Sequence, residues 1–408
     1  MVTAQTGAAM DLIIDGVPLP PGTKIASIAD SDSSAQQLWA GVWVGAWGHI
    51  RKHILLIESV AEEGTARVVY ADGGYPYLGI PGRWSRHTAA LSGRNLTIAE
   101  AGFSATYDLT DGDRLKATFT RGEARSEATL AKADFAALTN PGVAVDWTGG
   151  KSEFLQTDLV EDGKPIRLEA VIFKPDGEGP FPLAVINHGS TGNNPALVKQ
   201  TCLDIGLADF LNGRGWMVAF PQRRGRGKSE GLYAEEFSAD PRGYTDDPYT
   251  FLAGAERALQ DVEAGITALR RREDVAPSPV LIGGVSRGGV LSVAYAGAHP
   301  GQIFGVINFV GGWLGEGFIT ATSVNQNLFK RGGHFDQPML WLYGRGDSLY
   351  STSYSRENFA AFRRAGGQGT FLEFDVPGGN GHFLTPWKDL WSGPIGDYLD
   401  SLGAPGQN

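Results

Sequence analysis

The pattern Gly-x-Ser-x-Gly can place a serine hydroxyl on a sharp turn between a strand and a helix, where a base can activate it as a nucleophile. Two stretches of the chain match this pattern, one centred on Ser229 and one on Ser286. The apolar run 280–282 leads directly into Ser286, and the small residues of segment 288–296 follow as a predicted helix that can pack closely on a sheet. Ser229 instead follows the basic loop 223–226 and precedes irregular, acidic sequence. Because a chain with 57 glycines can match such a pattern by chance, this context selects Ser286 as the predicted nucleophile.

Such a serine needs a histidine and a carboxylic acid, and in this topology the acid precedes the histidine along the chain. Of the seven histidines, His382 has a strand-end acid upstream, whereas His334 could pair only with Glu316 in a glycine-rich loop. Asp347 follows an apolar strand by a short turn, so we expect it at the carboxyl edge of the sheet, where Ser286 also emerges. Three other acids are less well placed, because they precede this strand, lie in a predicted helix or lie within a strand: Asp336, Glu357 and Glu373. We therefore predict a catalytic triad with Ser286 as nucleophile, His382 as base and Asp347 as acid.

Two backbone N–H groups are also needed, because the negative oxygen of a tetrahedral intermediate must be stabilised in an oxyanion hole. The N–H of Arg287, directly after the nucleophile, is the first predicted donor. The turn 187–192, which follows a buried apolar run, offers Ser190 or Thr191 as the second. His188 in the same turn is interpreted as a structural brace, with contact to the substrate as the alternative.

Charge and cysteine content argue against several other functions. Lysine and arginine total 35 against 45 aspartate and glutamate, so the net charge of −10 lacks the basic footprint of a nucleic-acid-binding protein. The single cysteine, Cys202, excludes an intramolecular disulfide and offers no metal-ligand spacing. The Gly-Lys-Ser string at 227–229 lacks the first glycine of a phosphate-binding loop, because Gln222 stands there. We expect no cofactor, no metal and no nucleic-acid partner.

The sequence predicts no membrane span, because no apolar run reaches the ~18 residues that suggest one. The N-terminus also lacks the basic start and apolar stretch of a secretion signal. We therefore expect a soluble chain. Residues 1–5 are compatible with the start of a periplasmic or secreted protein whose export signal was removed, so the compartment stays open, and the sequence indicates no oligomeric state.

Residues 36–135 show one short strand after another, with no helical stretch between them. Apolar and polar residues alternate at 103–109 and again at 115–119, on either side of an Asp-Gly-Asp turn, which is typical of a β-hairpin. About seven or eight strands of this kind predict a small antiparallel barrel or sandwich. An N-terminal extension at 1–35 precedes this predicted domain, and a linker at 136–150 follows it.

From residue 151 to 408, predicted strands alternate with predicted helices, and this alternation indicates a parallel sheet. Most of the strands are apolar along their whole length, as expected when helices cover both faces of the sheet. The predicted strands are 167–173, 183–186, 217–220, 280–285, 303–310, 339–343 and 371–376. The predicted fold class is α/β, with a mostly parallel sheet covered by helices on both faces and preceded by a small antiparallel all-β domain.

Five local strings carry a resemblance to a known family: Asn187-His188-Gly189-Ser190, the arginine-rich segment 221–231, Gly284-Val285-Ser286-Arg287-Gly288-Gly289, the segment 342–348 and Gly381-His382. With them, residues 151–403 resemble the α/β-hydrolase superfamily, specifically its dienelactone-hydrolase-like and acyl-peptidase-like branches. The resemblance implies the triad Ser286, Asp347 and His382, an oxyanion hole at Ser190 and Arg287, and a bracing role for the arginine-rich loop. Dienelactone hydrolases use a cysteine nucleophile, so their lactone substrate is not implied. The first 150 residues show no such match, and their strands suggest a lipocalin-like barrel.

The expected activity is hydrolysis of a small carboxylic ester through an acyl-enzyme, and cleavage of an amide or peptide by the same triad is the alternative. The loops that hold the leaving group decide between the two. A third hypothesis is a binding protein whose barrel holds an apolar ligand, although an intact triad argues against it. Two insertions, 232–249 and 311–333, are expected to overhang the catalytic edge, where Trp313, Phe318 and Phe329 could line an acyl pocket or simply pack the cap.

Overall fold

The structure is a computed structural model of the whole chain. It describes residues 11–23, 25, 38–48, 51–61, 64–74, 81–110, 114–122, 124–140, 145–147, 149–175, 177–190, 195–235 and 247–403. The chain folds into two compact units, Met1–Gly149 and Gly150–Asn408. No helix within the described ranges is both long and apolar enough to cross a membrane.

A closed, eight-stranded antiparallel barrel forms the centre of the first unit, and the last barrel strand pairs with the first. A short hairpin, β1 (Leu12–Ile14) and β2 (Val17–Leu19), precedes it. The barrel strands are β3 (Gly41–Trp47), β4 (Arg51–Ala61), β5 (Thr65–Asp72), β6 (Arg83–Ser92), β7 (Asn95–Glu100), β8 (Phe103–Thr110), β9 (Arg114–Arg121) and β10 (Ala124–Ala133). The predicted hairpin is β8 and β9, while its Asp-Gly-Asp turn lies outside the described residues. The predicted all-β domain is confirmed, and it is a barrel rather than a sandwich.

Both faces of strands β3, β4 and β5 are buried over part of their length. Side chains such as Trp43, Leu55 and Val68 belong to the core inside the barrel. Their neighbours along the strands belong to a second apolar cluster, which also includes the β1–β2 hairpin and Trp147: Val42, Val44, Ile54, Leu56 and Val69. Because successive residues of a strand point to opposite faces, the buried stretches of these strands carry consecutive apolar residues rather than alternating ones.

Part of the stretch predicted as a linker is structured. Helix α1 (Phe135–Leu138) begins after Asp134, whose side chain accepts a hydrogen bond from the Ala136 N–H. The Trp147 indole N–H donates to Asp15 Oδ2 at 2.7 Å. The buried indole of Trp147 packs in the apolar cluster on the barrel, although the composition around it is that of a connecting segment.

An eight-stranded sheet forms the second unit, with the strand order β11-β12-β14-β13-β15-β16-β17-β18. Its strands are β11 (Lys151–Glu161), β12 (Lys164–Phe173), β13 (Leu183–Asn187), β14 (Met217–Pro221), β15 (Val280–Val285), β16 (Ile303–Phe309), β17 (Met339–Gly344) and β18 (Gly369–Phe374). The helices are α2 (Pro195–Val198), α3 (Ile205–Asn212), α4 (Pro248–Arg270), α5 (Arg287–Ala298), α6 (Ala321–Arg331), α7 (Thr352–Arg364) and α8 (Lys388–Ser401). Strand β12 pairs antiparallel with β11 and β14, and the other pairs are parallel. The predicted fold class is confirmed.

Edge strands are where the structure departs from the predicted strands. Strand β11 was not predicted, because Leu155 is its only fully buried side chain and no apolar run marks it. Strand β18, at the other edge, spans Gly369–Phe374 rather than 371–376, and none of its side chains is fully buried. Central strands β13 and β15 are buried along almost their whole length and match the predicted ranges closely.

Candidate functional site

Ser286 lies on the sharp turn between β15 and α5. Its φ is +55° and its ψ −119°, a conformation that residues other than glycine rarely adopt. The turn is tight because Gly284 and Gly288 lie against each other, and a Cβ on Gly288 would collide with the carbonyl oxygen of Asn187. The Ser286 N–H donates to the Phe309 carbonyl oxygen at 2.9 Å, which holds the turn to β16. Both glycines of this Gly-x-Ser-x-Gly match are therefore required by close contact.

Asp347 and His382 form a hydrogen-bonded pair, with 2.9 Å between Asp347 Oδ2 and His382 Nδ1. Asp347 follows β17, and its Oδ1 accepts from the N–H groups of Leu349 and Tyr350 at 2.8 and 2.9 Å. The carboxylate is fully buried, and both of its oxygens are engaged. His382 lies in the 3-10 turn Gly381–Phe383, and 15% of its side chain is exposed. A buried acid therefore orients a histidine that stays accessible.

The loops that carry this pair are held together by a close glycine contact. A Cβ on Gly344, at the end of β17, would collide with Gly381, and a Cβ on Gly381 would collide with the Gly344 carbonyl oxygen. Asn380 adds a polar link, because its Oδ1 accepts from the His382 N–H at 3.1 Å and its Nδ2 donates to Ser348 Oγ at 3.3 Å. The acid and the histidine can pair because neither glycine carries a side chain.

Tyr350 connects Ser286 with the histidine. Its hydroxyl donates to the Gly312 carbonyl oxygen at 2.9 Å, and the Gly312 N–H donates to the Ser286 carbonyl oxygen at 3.1 Å. The Tyr350 ring centroid lies 5.6 Å from that of His382. In the part of the chain that the structure describes, no hydrogen bond joins Ser286 Oγ directly to His382. Such bonds are often long without substrate and tighten in the complex. Sequence reasoning missed Tyr350, whose only signal was its position three residues after Asp347.

The predicted oxyanion donors lie on segments that border Ser286. Arg287 is the first residue of α5, so its N–H belongs to a helix N-terminus, where negative charge is stabilised. The turn after β13 approaches from another side, because a Cβ on Gly189 would lie 3.2 Å from Ser286 Cβ, and Ser190 follows directly. The alternative donor, Thr191, lies outside the described residues.

A buried carboxylate, Glu235, links these two segments, and sequence reasoning missed it as well. Its Oε1 accepts from Arg223 Nε at 2.5 Å, and its Oε2 lies 3.5 Å from Arg287 Nη1. Arg223 Nη1 donates to the His188 carbonyl oxygen at 2.8 Å. Burial alone would raise the pKa of Glu235, but the charges of Arg223 and Arg287 lower it below its usual value. An ionised carboxylate thus ties the turn after β13 to the residue that follows the nucleophile.

His188 is buried, and both of its ring nitrogens bond to backbone groups. Nδ1 donates to the Gly189 carbonyl oxygen at 2.8 Å, and Nε2 accepts from the Arg223 N–H at 3.1 Å. Burial and the charges of Arg223 and Arg226 lower the pKa of His188 well below its usual value, so the ring is neutral. Of the two interpretations, these contacts favour the structural brace over contact with a substrate.

Ser229, at the other Gly-x-Ser-x-Gly match, holds the arginine-rich loop to the sheet. Its hydroxyl donates to the Gln222 carbonyl oxygen at 2.6 Å and accepts from the Glu169 N–H, in β12, at 2.8 Å. Ser229 is buried and makes both of these bonds within the protein. The same pattern therefore has a different environment at each serine.

The three aromatic residues predicted to line an acyl pocket lie at different depths. Trp313 is buried beside Arg287, the residue that follows Ser286. Its ring centroid is 4.5 Å from the Arg287 guanidinium, and its carbonyl oxygen accepts from Arg287 Nε at 3.0 Å. Phe318 is half-buried. Phe329 is fully buried, with its ring centroid 4.7 Å from that of Trp341 in the main core. Trp313 thus contacts Arg287, a residue of the site.

The two predicted insertions are only partly described. Insertion 311–333 contains helix α6, whereas residues 236–246 of the insertion 232–249 lie outside the described residues. Within the described ranges, no group of three His, Cys, Asp or Glu side chains comes together as a metal site would need.

Neither a protein-family model nor a curated protein matches the chain, but solved structures are similar to it. An esterase from Pyrococcus furiosus is 14% identical, with a TM-score of 0.45, over 64% of this chain and 95% of that one. Est1E from Butyrivibrio proteoclasticus, solved with ferulic acid bound, is 14% identical, with a TM-score of 0.44, over 61% of this chain and 98% of that one. A protein from Klebsiella pneumoniae described as a dienelactone hydrolase is 18% identical, with a TM-score of 0.39, over 62% of this chain and 98% of that one.

Sequence identity and structural similarity this low assign no activity to the chain. Its fold follows from its own strand order and turns. Strand β13 lies between β14 and β15 in the sheet, and an antiparallel pair of strands forms one edge. A strained serine turn joins β15 to α5, and an acid and a histidine follow two further strands in that order. The unit Gly150–Asn408 therefore has the α/β-hydrolase fold, as its motifs predicted.

Proposed function

We propose that this chain is a serine hydrolase that cleaves carboxylic esters through an acyl-enzyme intermediate. The observation that carries the proposal is the 2.9 Å hydrogen bond between His382 Nδ1 and Asp347 Oδ2, beside Tyr350, whose hydroxyl bonds to the glycine that holds the Ser286 carbonyl oxygen. An imidazole whose Nδ1 donates to a carboxylate keeps Nε2 as its basic nitrogen. The strained turn at Ser286 supports the same role, because backbone strain of this kind is concentrated at functional sites.

In the first half of the reaction, Ser286 Oγ attacks the ester carbonyl carbon while His382 Nε2 takes the hydroxyl proton. The carbonyl oxygen becomes negative, and the N–H groups of Arg287 and Ser190 stabilise it. Asp347 stabilises the imidazolium that has formed. The intermediate then collapses, the alcohol leaves with the proton from His382, and the acyl group stays on Ser286.

In the second half, a water molecule replaces the alcohol. His382 Nε2 takes a proton from this water as it attacks the acyl carbon, and the same two N–H groups stabilise the second oxyanion. Collapse of this intermediate breaks the bond to Ser286 Oγ, which receives the proton back from His382. The carboxylic acid is released and the enzyme returns to its starting state.

Labelling with a fluorophosphonate tests the nucleophile, because this probe reacts with serines activated by a base. We expect the wild-type chain to be labelled at Ser286, and S286A to remain unlabelled. The matched control is S229A, which removes the serine of the other Gly-x-Ser-x-Gly match and should be labelled as fast as the wild type. A wild-type chain that stays unlabelled at Ser286 would overturn the proposal and favour the hypothesis of a binding protein.

Ester and amide substrates that share one acyl group test the substrate class. Aryl esters and aminoacyl anilides differ in the leaving group, and an anilide leaves only if His382 is placed to protonate its nitrogen. We expect higher kcat/KM for the esters. Anilide turnover that equals or exceeds ester turnover would replace the proposal with the amidase alternative.

A further inference from the structure

One end of the barrel contains a cavity of about 430 Å³, which we call the barrel mouth. Its lining comes from the ends of β5 and β9 and the starts of β6 and β8, which antiparallel pairing brings to the same end of the barrel. The lining side chains that matter here are those of Tyr70, Arg83, His87, Phe103, Phe119 and Arg121. A cavity of this size is within the range of small-molecule sites, which are common in the mouths of β-barrels.

The lining positions face the inside of the barrel. Phe103 alternates in step with Ala105 and Tyr107, and His87 with Ala89, and these neighbours belong to the core inside the barrel. At the opposite end of the same strands, the interior is filled by apolar side chains: Trp43, Ile57, Leu96, Leu115 and Leu130. The interior of the barrel is therefore apolar at one end and lined by both aromatic and charged groups at the other.

Aromatic rings form the wall of the barrel mouth. The ring centroid of Phe103 lies 5.7 Å from that of Phe119 and 6.0 Å from that of Tyr70. It also lies 5.8 Å from the His87 ring. Phe103 and Phe119 are only half-buried, so part of each ring stays accessible from the cavity. Such a wall suits a flat aromatic ring, which can stack on these rings or meet them edge to face.

The acidic side chain of the barrel mouth, Glu100, is bound by a histidine. His87 Nδ1 donates to Glu100 Oε1 at 2.9 Å, and His87 Nε2 lies 2.7 Å from Ser85 Oγ. These three side chains thus bond to one another along the wall. The carboxylate of Glu100 is engaged by the imidazole and not by an arginine.

Two of the three arginines of the barrel mouth have no anionic partner. Arg86 donates from Nε to both carboxylate oxygens of Glu58, at 2.9 and 3.1 Å. Asp72 is opposite Arg83 in the strand register, but it pairs with a histidine and a different arginine. Among the residues that the structure describes, neither Arg83 nor Arg121 forms an ion pair or a hydrogen bond. In a chain with a net charge of −10, these two guanidinium groups make the cavity attractive to an anion.

We propose that the barrel mouth is a binding site for a small aromatic carboxylate. The aromatic ring of this ligand lies against Phe103 and Phe119, and its carboxylate bonds to Arg83 and Arg121. A guanidinium group matches a planar carboxylate with two parallel N–H donors, which a lysine would not provide. The site involves none of the residues of the proposed hydrolase reaction, so either proposal can fail without the other.

Calorimetric titration of the full-length chain with three ligands tests the chemical class. The probe is 2-naphthoate, which has both the ring and the carboxylate. Its neutral amide, 2-naphthamide, keeps the ring, and octanoate keeps the charge without a ring. We expect saturable binding of 2-naphthoate, with the dissociation constants of the other two at least tenfold higher, because each lacks one of the two recognised groups.

Variants of the barrel locate the bound ligand. In the double variant Arg83→Gln with Arg121→Gln, the dissociation constant for 2-naphthoate should rise at least tenfold, since charge-assisted hydrogen bonds to the carboxylate are lost. The matched control is Arg67→Gln, because Arg67 is also an exposed arginine but alternates with the inward-facing Ala66 and Val68 of β5. R67Q should bind 2-naphthoate within about twofold of the wild type. Urea unfolding midpoints should show that all the variants are folded.

Any of four results would overturn the inference. The wild type does not bind 2-naphthoate, 2-naphthamide or octanoate binds as tightly as 2-naphthoate, the double variant binds like the wild type, or R67Q is weakened as much as the double variant. If the double variant does not fold, Arg121→Gln alone replaces it, with the same direction of effect expected. The comparison of the three ligands on the wild type needs no variant and can contradict the proposal by itself.

Discussion

Each unit of the chain contains a histidine–aspartate pair, and the two bonds are equally long. In the barrel, His53 Nδ1 lies 2.9 Å from Asp72 Oδ1, and in the second unit His382 Nδ1 lies 2.9 Å from Asp347 Oδ2. The surroundings of the two imidazoles differ. His53 has no exposed surface, and its Nε2 bonds to the Tyr107 hydroxyl at 2.9 Å. His382 is partly exposed, and its ring lies 5.6 Å from that of Tyr350, which bonds to Gly312 beside the strained serine turn.

The comparison teaches that an imidazole bonded to a carboxylate is not by itself a sign of catalysis. Around the barrel pair, the rings of Trp47 and Tyr70 lie 4.9 and 4.5 Å from the His53 ring, and Arg51 lies 3.3 Å from Asp72. A buried network of this kind orders the core of the barrel. The catalytic role that we propose for the pair of His382 and Asp347 depends on a third group, the Ser286 hydroxyl.

The largest expected effect comes from Asp347→Asn. The amide keeps the shape of the side chain but no longer stabilises the correct histidine tautomer or the imidazolium, so kcat for an aryl ester should fall by roughly 10³–10⁴-fold. The unfolding free energy should change by only about 1 kcal/mol, because the Asn carbonyl oxygen can still accept from the Leu349 and Tyr350 N–H groups. Hydrolysis rates and urea unfolding measure the two quantities. More than a tenth of the wild-type kcat in D347N would contradict the assignment of the acid.

Asp72→Asn in the barrel should have the opposite effect to D347N, because we expect it to lower stability and leave kcat nearly unchanged. It removes the charge that faces His53 and Arg51, and both the His53 and Asp72 side chains are fully buried, so the unfolding free energy of the barrel should fall by about 3 kcal/mol. The expected kcat stays within about twofold of the wild type, because Asp72 takes no part in the proposed reaction. Urea unfolding followed by tryptophan fluorescence measures the unfolding free energy, and the ester assay measures kcat. A large loss of kcat with unchanged stability would give the barrel pair a catalytic role and end the contrast.

Glu235→Gln extends the comparison to buried ion pairs within the second unit. Glu235 bonds to Arg223 and lies near Arg287, so its neutralisation should loosen the oxyanion segments and lower kcat about tenfold with little change in KM. The matched control is Asp261→Asn, because Asp261 forms an equally short, buried pair with Arg224 at 2.5 Å. D261N should lose stability but keep kcat within about twofold. Equal losses of kcat in both variants would mean that burial of the pair, not its place beside the oxyanion segments, determines the effect.

The smallest expected effect concerns a buried histidine of the second unit, His188. Its pKa is lowered by burial and the two neighbouring arginines, so the folded chain keeps it neutral while the unfolded chain protonates it near pH 6.5. The unfolded state then binds more protons, and stability that is fully present above pH 6.5 is lost as the pH falls. Between pH 7 and 5.5 the unfolding free energy of the wild type should fall by about 1 kcal/mol more than that of His188→Gln. Parallel pH dependences in urea unfolding would show that His188 is charged in the folded chain.

Much of the fold and the order of the candidate site residues could be predicted because those features are local. The turn of Ser286, the strand-end position of Asp347 and the loop of His382 each depend on a few neighbouring residues. Central strands such as β13 and β15 were predictable for the same reason, since a strand covered on both faces is apolar throughout. The edge strand β11 has mostly half-exposed side chains and left no such pattern.

Contacts between distant segments were decided only by the tertiary structure. Tyr350, Glu235 and the pair of His53 with Asp72 have no periodic or motif signal, because each depends on which loops or strands lie side by side. The sequence by itself determined the chemistry available to the chain and the order in which a hydroxyl, an acid and an imidazole occur. The strand order and the close glycine contacts decided which acid lies beside which imidazole. They also decided which of these pairs is enclosed in a core and which is partly exposed. Bonding partners are set by distance in space rather than by separation along the chain.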